Sequence, residues 1–100
     1  MPAVVRVGDG LSTGHGCAGS TTLASANQGT VAVNGILAAV VGAPTVSHPF
    51  PPNPPCAPHV ANLNAGSGTV NVEGKPLGRV GDSADAGAMT SGSGDVNCGG

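Results

Sequence analysis

Gly29-Thr30-Val31-Ala32-Val33-Asn34-Gly35 recurs 39 residues later as Gly68-Thr69-Val70-Asn71-Val72-Glu73-Gly74, with five of the seven positions identical. Similarity at a fixed offset decides architecture before residue propensities do, because each copy must be one structural unit. Within each copy apolar residues alternate at a period of two, the pattern of a strand with one buried face. Asn34-Gly35 then supplies the strongest short hairpin signal, since both central residues of a type I′ turn need positive φ. Each copy therefore reads as a β-hairpin.

The register extends outward from the hairpins. Val40-Val41-Gly42-Ala43 falls on Arg79-Val80-Gly81-Asp82, Arg6-Val7-Gly8-Asp9 is a further copy of the latter, and Gly94-Asp95-Val96-Asn97-Cys98-Gly99 is a truncated third copy of the Gly-Thr-Val half. Three unit starts in one chain predict a pseudo-threefold array of short strands, with hairpin turns at one end and irregular loops at the other. The apolar residues Val31, Val33, Val70, Val72 and Val96 build the hairpin end or the core beneath it. No sustained 3.6-residue apolar face predicts a helix.

Composition agrees with a small, turn-dense, all-β domain spanning residues 1–100. The chain holds 18 Gly and nine Pro but only 8% charged residues, so polyelectrolyte disorder does not describe it. One aromatic residue, Phe50, leaves little bulky core volume, so a chain of 100 residues needs another source of stability. Three basic residues and a net charge of −2 give no footprint for nucleic acid, whose phosphates call for clustered Lys and Arg. No apolar run approaches the length of a membrane span, and the opening Met1-Pro2-Ala3-Val4-Val5-Arg6 lacks the apolar stretch of a secretory signal. Synthesis in the cytoplasm is expected, with any export by another route.

The chemistry gathers in two loops. Gly14-His15-Gly16-Cys17 follows the first Val-Gly-Asp, and a stretch with seven of the nine prolines carries His48, Cys56 and His59 after the second Val-Gly. Proline cannot donate to a ladder, so this stretch is no central strand, and its prolines stiffen a loop whose geometry matters. In a pseudo-threefold array the two loops converge at one end. Zinc takes four tetrahedral ligands from Cys thiolate and His nitrogen, and Cys56-x-x-His59 is a short chelating pair. His15, His48, Cys56 and His59 make a His3Cys set, with Cys17 competing for the sulfur position. Four protein ligands leave no open position for water activation, which favours a structural metal over catalysis. Cys98 reads as a small buried residue. Asp9, Glu73, Asp82, Asp85 and Asp95 are scattered, and no acid and base pair is read among them. Two of these, Asp9 and Asp82, sit in Val-Gly-Asp turns where a carboxylate can accept from nearby backbone N–H groups.

Pro76-Leu77-Gly78-Arg79-Val80-Gly81-Asp82 resembles the Pro-Ala-Ala-Arg motif with its Val-Gly-Asp continuation that names the PAAR-repeat family; Pro76 and Arg79 match and the two alanines do not. Val5-Arg6-Val7-Gly8-Asp9 with Ser12-Thr13-Gly14-His15-Gly16-Cys17 is similar to the opening of family members, and Gly92-Ser93-Gly94-Asp95-Val96 to their close. The resemblance implies a cone of short strands with a metal near its apex, held by three His and one Cys. It also implies a broad base that binds a trimeric β-helical spike of a contractile phage tail or type VI secretion machine. By it the histidine ligands are His15, His48 and His59. Many members carry a Cys soon after the final Val-Gly-Asp. This chain has Ala86-Gly87 in that neighbourhood, which leaves the sulfur to Cys56 or Cys17, with Cys56 preferred. The resulting expectation is a non-enzymatic spike tip with structural zinc (iron is the alternative metal), found in a virion or secreted, touching the outer membrane transiently. A small zinc hydrolase or deaminase, and an adaptor carrying effector cargo, are the competing readings.

Overall fold

A computed structural model describes residues 2–17, 19–50 and 57–99. Among them the chain is all-β, with ten short strands and no helix. The strands form five antiparallel pairs: β1 (Gly10–Ser12) with β2 (Ser20–Thr22), β3 (Ala32–Val33) with β4 (Ile36–Leu37), β5 (His48–Phe50) with β6 (Ala57–His59), β7 (Asn71–Val72) with β8 (Lys75–Pro76), and β9 (Ser83–Ala84) with β10 (Gly87–Ala88). The two hairpins read from the repeat are β3–β4 and β7–β8. Their turns carry φ of 55° and 79° at Asn34 and Gly35, and 53° and 77° at Glu73 and Gly74, the left-handed pair that a type I′ turn requires.

The third copy closes without a turn. Ala3 bridges Asn97, the Val4 N–H donates to the Val96 carbonyl at 2.9 Å, and the Cys98 N–H donates to the Pro2 carbonyl at 3.0 Å. Segments 2–4 and 96–98 thus pair as the third member of the base.

Pseudo-threefold closure is explicit in the backbone. The Val5 N–H donates to the Gly78 carbonyl (3.1 Å), Gly78 donates to Ala39 (2.9 Å), and Ala39 donates back to Val5 (3.0 Å), a ring of three bonds running one way around an axis. Flanking it, Val7 donates to Leu37, Val41 to Pro76 and Val80 to Ala3, again one bond per repeat. Each of the three Val-Gly segments then turns back: the residue after Gly8, Gly42 and Gly81 donates to the carbonyl three residues earlier at 3.0 Å, with these glycines at φ 88°, 93° and 93°. Positive φ at the third residue is the type II turn, and only glycine takes it without strain. In two of the three, the following Asp also binds back. Asp9 Oδ2 accepts the Arg6 backbone N–H at 2.7 Å and Asp82 Oδ2 that of Arg79 at 2.8 Å, while each guanidinium grips the same carboxylate.

The ring separates two buried clusters. Toward the base, Val33, Val72 and Cys98 occupy equivalent repeat positions and are 8%, 8% and 7% exposed, so Cys98 stands where a third valine would. Val4, Ala38, Val40 and Leu77 pack with them. The other valines differ: Val31 and Val96 are exposed and Val70 is partly buried. Buried polar caps finish this layer, because Gln28 Oε1, Ser67 Oγ and Ser93 Oγ each accept two backbone N–H groups at the start of their repeat. On the other side Leu11, Leu23, Leu63 and Met89 form the second cluster. Bridges Leu11↔Met89, Leu23↔Thr45 and Leu63↔Ala84 close a second ring, each linking one repeat to the next. The whole measures 39 × 23 × 21 Å, one long axis and two nearly equal short ones.

Beyond the second ring the irregular loops expected from sequence are hairpins too, β1–β2, β5–β6 and β9–β10. Pro49 faces Pro58 across β5–β6. Opposed residues of an antiparallel pair alternate between bonded and non-bonded sites, and two residues without N–H fit the non-bonded one. Proline therefore permits this two-stranded ladder while barring a third strand.

Candidate metal centre

That register decides the site. His48 lies directly opposite His59, so both side chains project from the same face of β5–β6. His15 arrives from the loop between β1 and β2, and Asp85 from the two-residue turn between β9 and β10. Four donor atoms from all three repeats meet within 4.8 Å of one another, a group that could hold a metal ion. Asp85 Oδ2 lies 2.8 Å from His15 Nε2 and 2.7 Å from His48 Nε2, its Oδ1 lies 3.5 Å from His59 Nε2, and the first two nitrogens are 3.3 Å apart. Ligands at about 2.0–2.1 Å from a tetrahedral ion sit about 3.3–3.4 Å from each other. The measured spacings bracket that edge.

Close backbone approach brings the loops together. A Cβ on Gly14 would fall 2.2 Å from the Ala86 carbonyl oxygen, and one on Gly87 would fall 2.1 Å from that of Ser12. Glycine at both positions lets the His15 loop press against the Asp85 turn. The Ala86 N–H donates to the Thr13 carbonyl, the Asp85 N–H donates to Asn62, and Asn64 Nδ2 donates to the Asp85 carbonyl, which fixes the turn from both neighbouring repeats. Asp85 itself holds φ 53°, a conformation that Asp accepts better than most residues.

The imidazoles are oriented from behind. His15 Nδ1 is 3.0 Å from the Gly16 carbonyl and His48 Nδ1 is 3.0 Å from that of Val46. A carbonyl only accepts, so in both rings Nδ1 carries the hydrogen and the lone pair of a neutral ring lies on Nε2, aimed into the group. The side chains of His15, His48 and Asp85 are 7%, 4% and 6% exposed. Acceptors crowded this closely out of water need a shared cation or added protons. The electrostatics agree: the Gly16 carbonyl, opposed by desolvation and helped by Asp85, raises the His15 pKa. Burial works against ionising Asp85, but hydrogen bonds from His15, His48 and His59 outweigh it, and its pKa is lowered.

The structure thus joins His15, His48 and His59, as the sequence led us to expect, and adds a carboxylate the sequence reading passed over. Asp85 follows Asp82 by three residues, immediately before Ala86-Gly87, the neighbourhood searched for a sulfur. The usable signal was any ligand-forming residue there. Cys56 lies outside the described residues. Cys17 corrects the alternative: it is disulfide-bonded, so its sulfur is no thiolate to offer a metal. Cys98 is a free, buried thiol in the base cluster, its pKa raised by that burial. No family model and no curated protein matches the chain. No helix among the described residues is long and apolar enough to cross a membrane.

Proposed function

We propose that the chain is a non-enzymatic tip that caps a trimeric β-helical spike of a contractile injection machine, a phage tail or a type VI system, with a structural metal tying its far end. The observation that carries this reading is the closed ring of three equivalent backbone bonds at Val5, Ala39 and Gly78. It lets one chain present three related edges around one axis, which is what a single cap on a symmetric trimer needs. The base end offers apolar surface for such a contact. Val31, Ile36, Leu37 and Val96 are 37–40% exposed there, drawn from the β3–β4 hairpin and the 96–98 segment. Likeness to PAAR-repeat sequences supplies the identity of the trimer.

At the opposite end, His15, His48, His59 and Asp85 would hold the ion, zinc being the first candidate for three imidazoles and one carboxylate. A bound ion supplies cross-linking only. Four protein donors occupy a tetrahedral shell, which supports a structural role over activation of water. Because the donors come from three repeats, the ion closes them into one unit where the apolar core has run out, and its binding free energy becomes folding free energy.

Sedimentation of the chain with a trimeric β-helical spike fragment tests the proposal. One chain per trimer is the expected stoichiometry; no complex at micromolar concentration, or three chains per trimer, contradicts it.

A further inference from the structure

We infer that the centre is sulfur-free, with the Asp85 carboxylate as fourth ligand beside His15, His48 and His59, so that the protein keeps its metal where thiols are oxidised. This rests on the metal reading above. Two independent observations carry it. First, the four donor atoms lie within 4.8 Å of one another with Asp85 Oδ2 at 2.8 Å from His15 Nε2 and 2.7 Å from His48 Nε2, and Asp85 is buried among the imidazoles, with no Lys or Arg paired to it among the described residues. One carboxylate and three neutral rings around a divalent ion leave a single net positive charge. Second, two of the three sulfurs are engaged elsewhere. Of three cysteines, Cys17 is already in a disulfide although it lies two residues from His15, and Cys98 sits in the base cluster, across both rings from the centre.

A thiolate ligand is lost when it is oxidised, and the ion leaves with it. Imidazole and carboxylate have no such pathway. The tip then carries two cross-links, a disulfide and an ion, that persist in the same oxidising surroundings, and neither must be broken for the other to form. The ligand set also shifts preference away from the soft ions that thiolates select, toward zinc and other divalent first-row ions.

X-ray absorption at the zinc edge of the full chain reads the shell directly. The expected spectrum has only nitrogen and oxygen scatterers at about 2.0–2.2 Å, and a sulfur shell at about 2.3 Å overturns the inference while leaving a metal centre in place. A chain that retains no zinc overturns both. Zinc competition with a chromogenic chelator adds the residue assignment. Asp85→Ala should weaken binding by at least about 100-fold, beyond the roughly 10–100-fold cost of losing an outer-shell partner, while Cys56→Ser should stay within about threefold. The reverse order overturns the assignment. Asp85→Asn, which keeps the turn chemistry, guards against a folding defect: it should remain folded by circular dichroism yet still bind zinc more weakly, and wild-type affinity in this variant contradicts a carboxylate ligand. Wild-type protein treated with a thiol-oxidising disulfide reagent should release no zinc; release in proportion to thiols consumed contradicts the inference.

Discussion

The two ends of this molecule share one pseudo-threefold plan and are held by different physics. At the base, Val33, Val72 and Cys98 interlock below Val4, Ala38 and Leu77, and three buried side-chain oxygens cap the backbone. At the far end the layer above Leu23, Leu63 and Met89 contains His15, His48, His59 and Asp85 in place of apolar side chains. On the reading proposed above, apolar burial stabilises the base and coordination would take its place at the other end. The comparison shows that a repeat can keep its backbone bonds while the side chains that fill each layer change from apolar to ligand-forming.

Removing the ion should give the largest effect and strike one end alone. With free zinc about a thousand times its Kd, the bound ion contributes about 4 kcal/mol. That corresponds to roughly 15–30 °C in Tm for a domain of this size. Calorimetry of wild type with and without chelator should show this gap, and His48→Ala should abolish it; an unchanged gap in the variant would separate the histidine from the ion. Next in size is Leu63→Ala, at the second ring. A buried leucine truncated to alanine costs about 2–5 kcal/mol, and the loss should be equal in the metal-free and metal-bound protein if core and ion act independently. Chemical denaturation of both forms checks it.

Gly78→Ala probes the axis itself. An added Cβ would lie 2.5 Å from Leu63 Cδ2, 2.6 Å from Val5 Cγ2 and 3.1 Å from the Ala39 carbonyl oxygen. Overpacking of this kind costs about 1–3 kcal/mol. Val5, Ala39 and Gly78 share one level of the axis, one larger and two small, so the same substitution read by spike binding tells whether the ring sets the base geometry. Cys98→Val should be milder, within about 1.5 kcal/mol, since it restores the residue found at the two equivalent positions.

Least of all is the pH response of Glu73. Its carboxylate accepts from the Gly29 N–H and the Thr30 hydroxyl, and these bonds, the former first, hold its pKa below the usual glutamate range. A pKa lower in the folded state means the unfolded chain binds more protons in the interval between the two values, so stability rises with pH there. The contribution is complete above the unfolded pKa and lost as pH falls through the folded one. Glu73→Gln should flatten that acid limb in a urea titration series, lowering stability slightly at neutral pH and leaving it unchanged at low pH.

Much of the fold was legible because its determinants are local. Asn34-Gly35 and Glu73-Gly74 specify their own turns, and Val-Gly with positive φ specifies the three reversals. The third base pair was not, since residues 2–4 and 96–98 come from opposite ends of the sequence and meet only through tertiary approach. At the candidate centre the histidines stood out by clustering. Asp85 did not, because a single carboxylate in a short turn looks like turn chemistry until His15 and the His48–His59 pair are brought to it. Cys17, read as a competitor for the sulfur position, was misjudged for a related reason: cysteine pairing depends on tertiary approach.

Native mass spectrometry of the chain purified in the presence of zinc decides whether an ion holds the far end. One zinc per chain, released together with a large fall in Tm on chelation, is the predicted result. A folded chain that carries no metal, or one whose Tm ignores the chelator after complete zinc removal, would contradict a far end held by coordination.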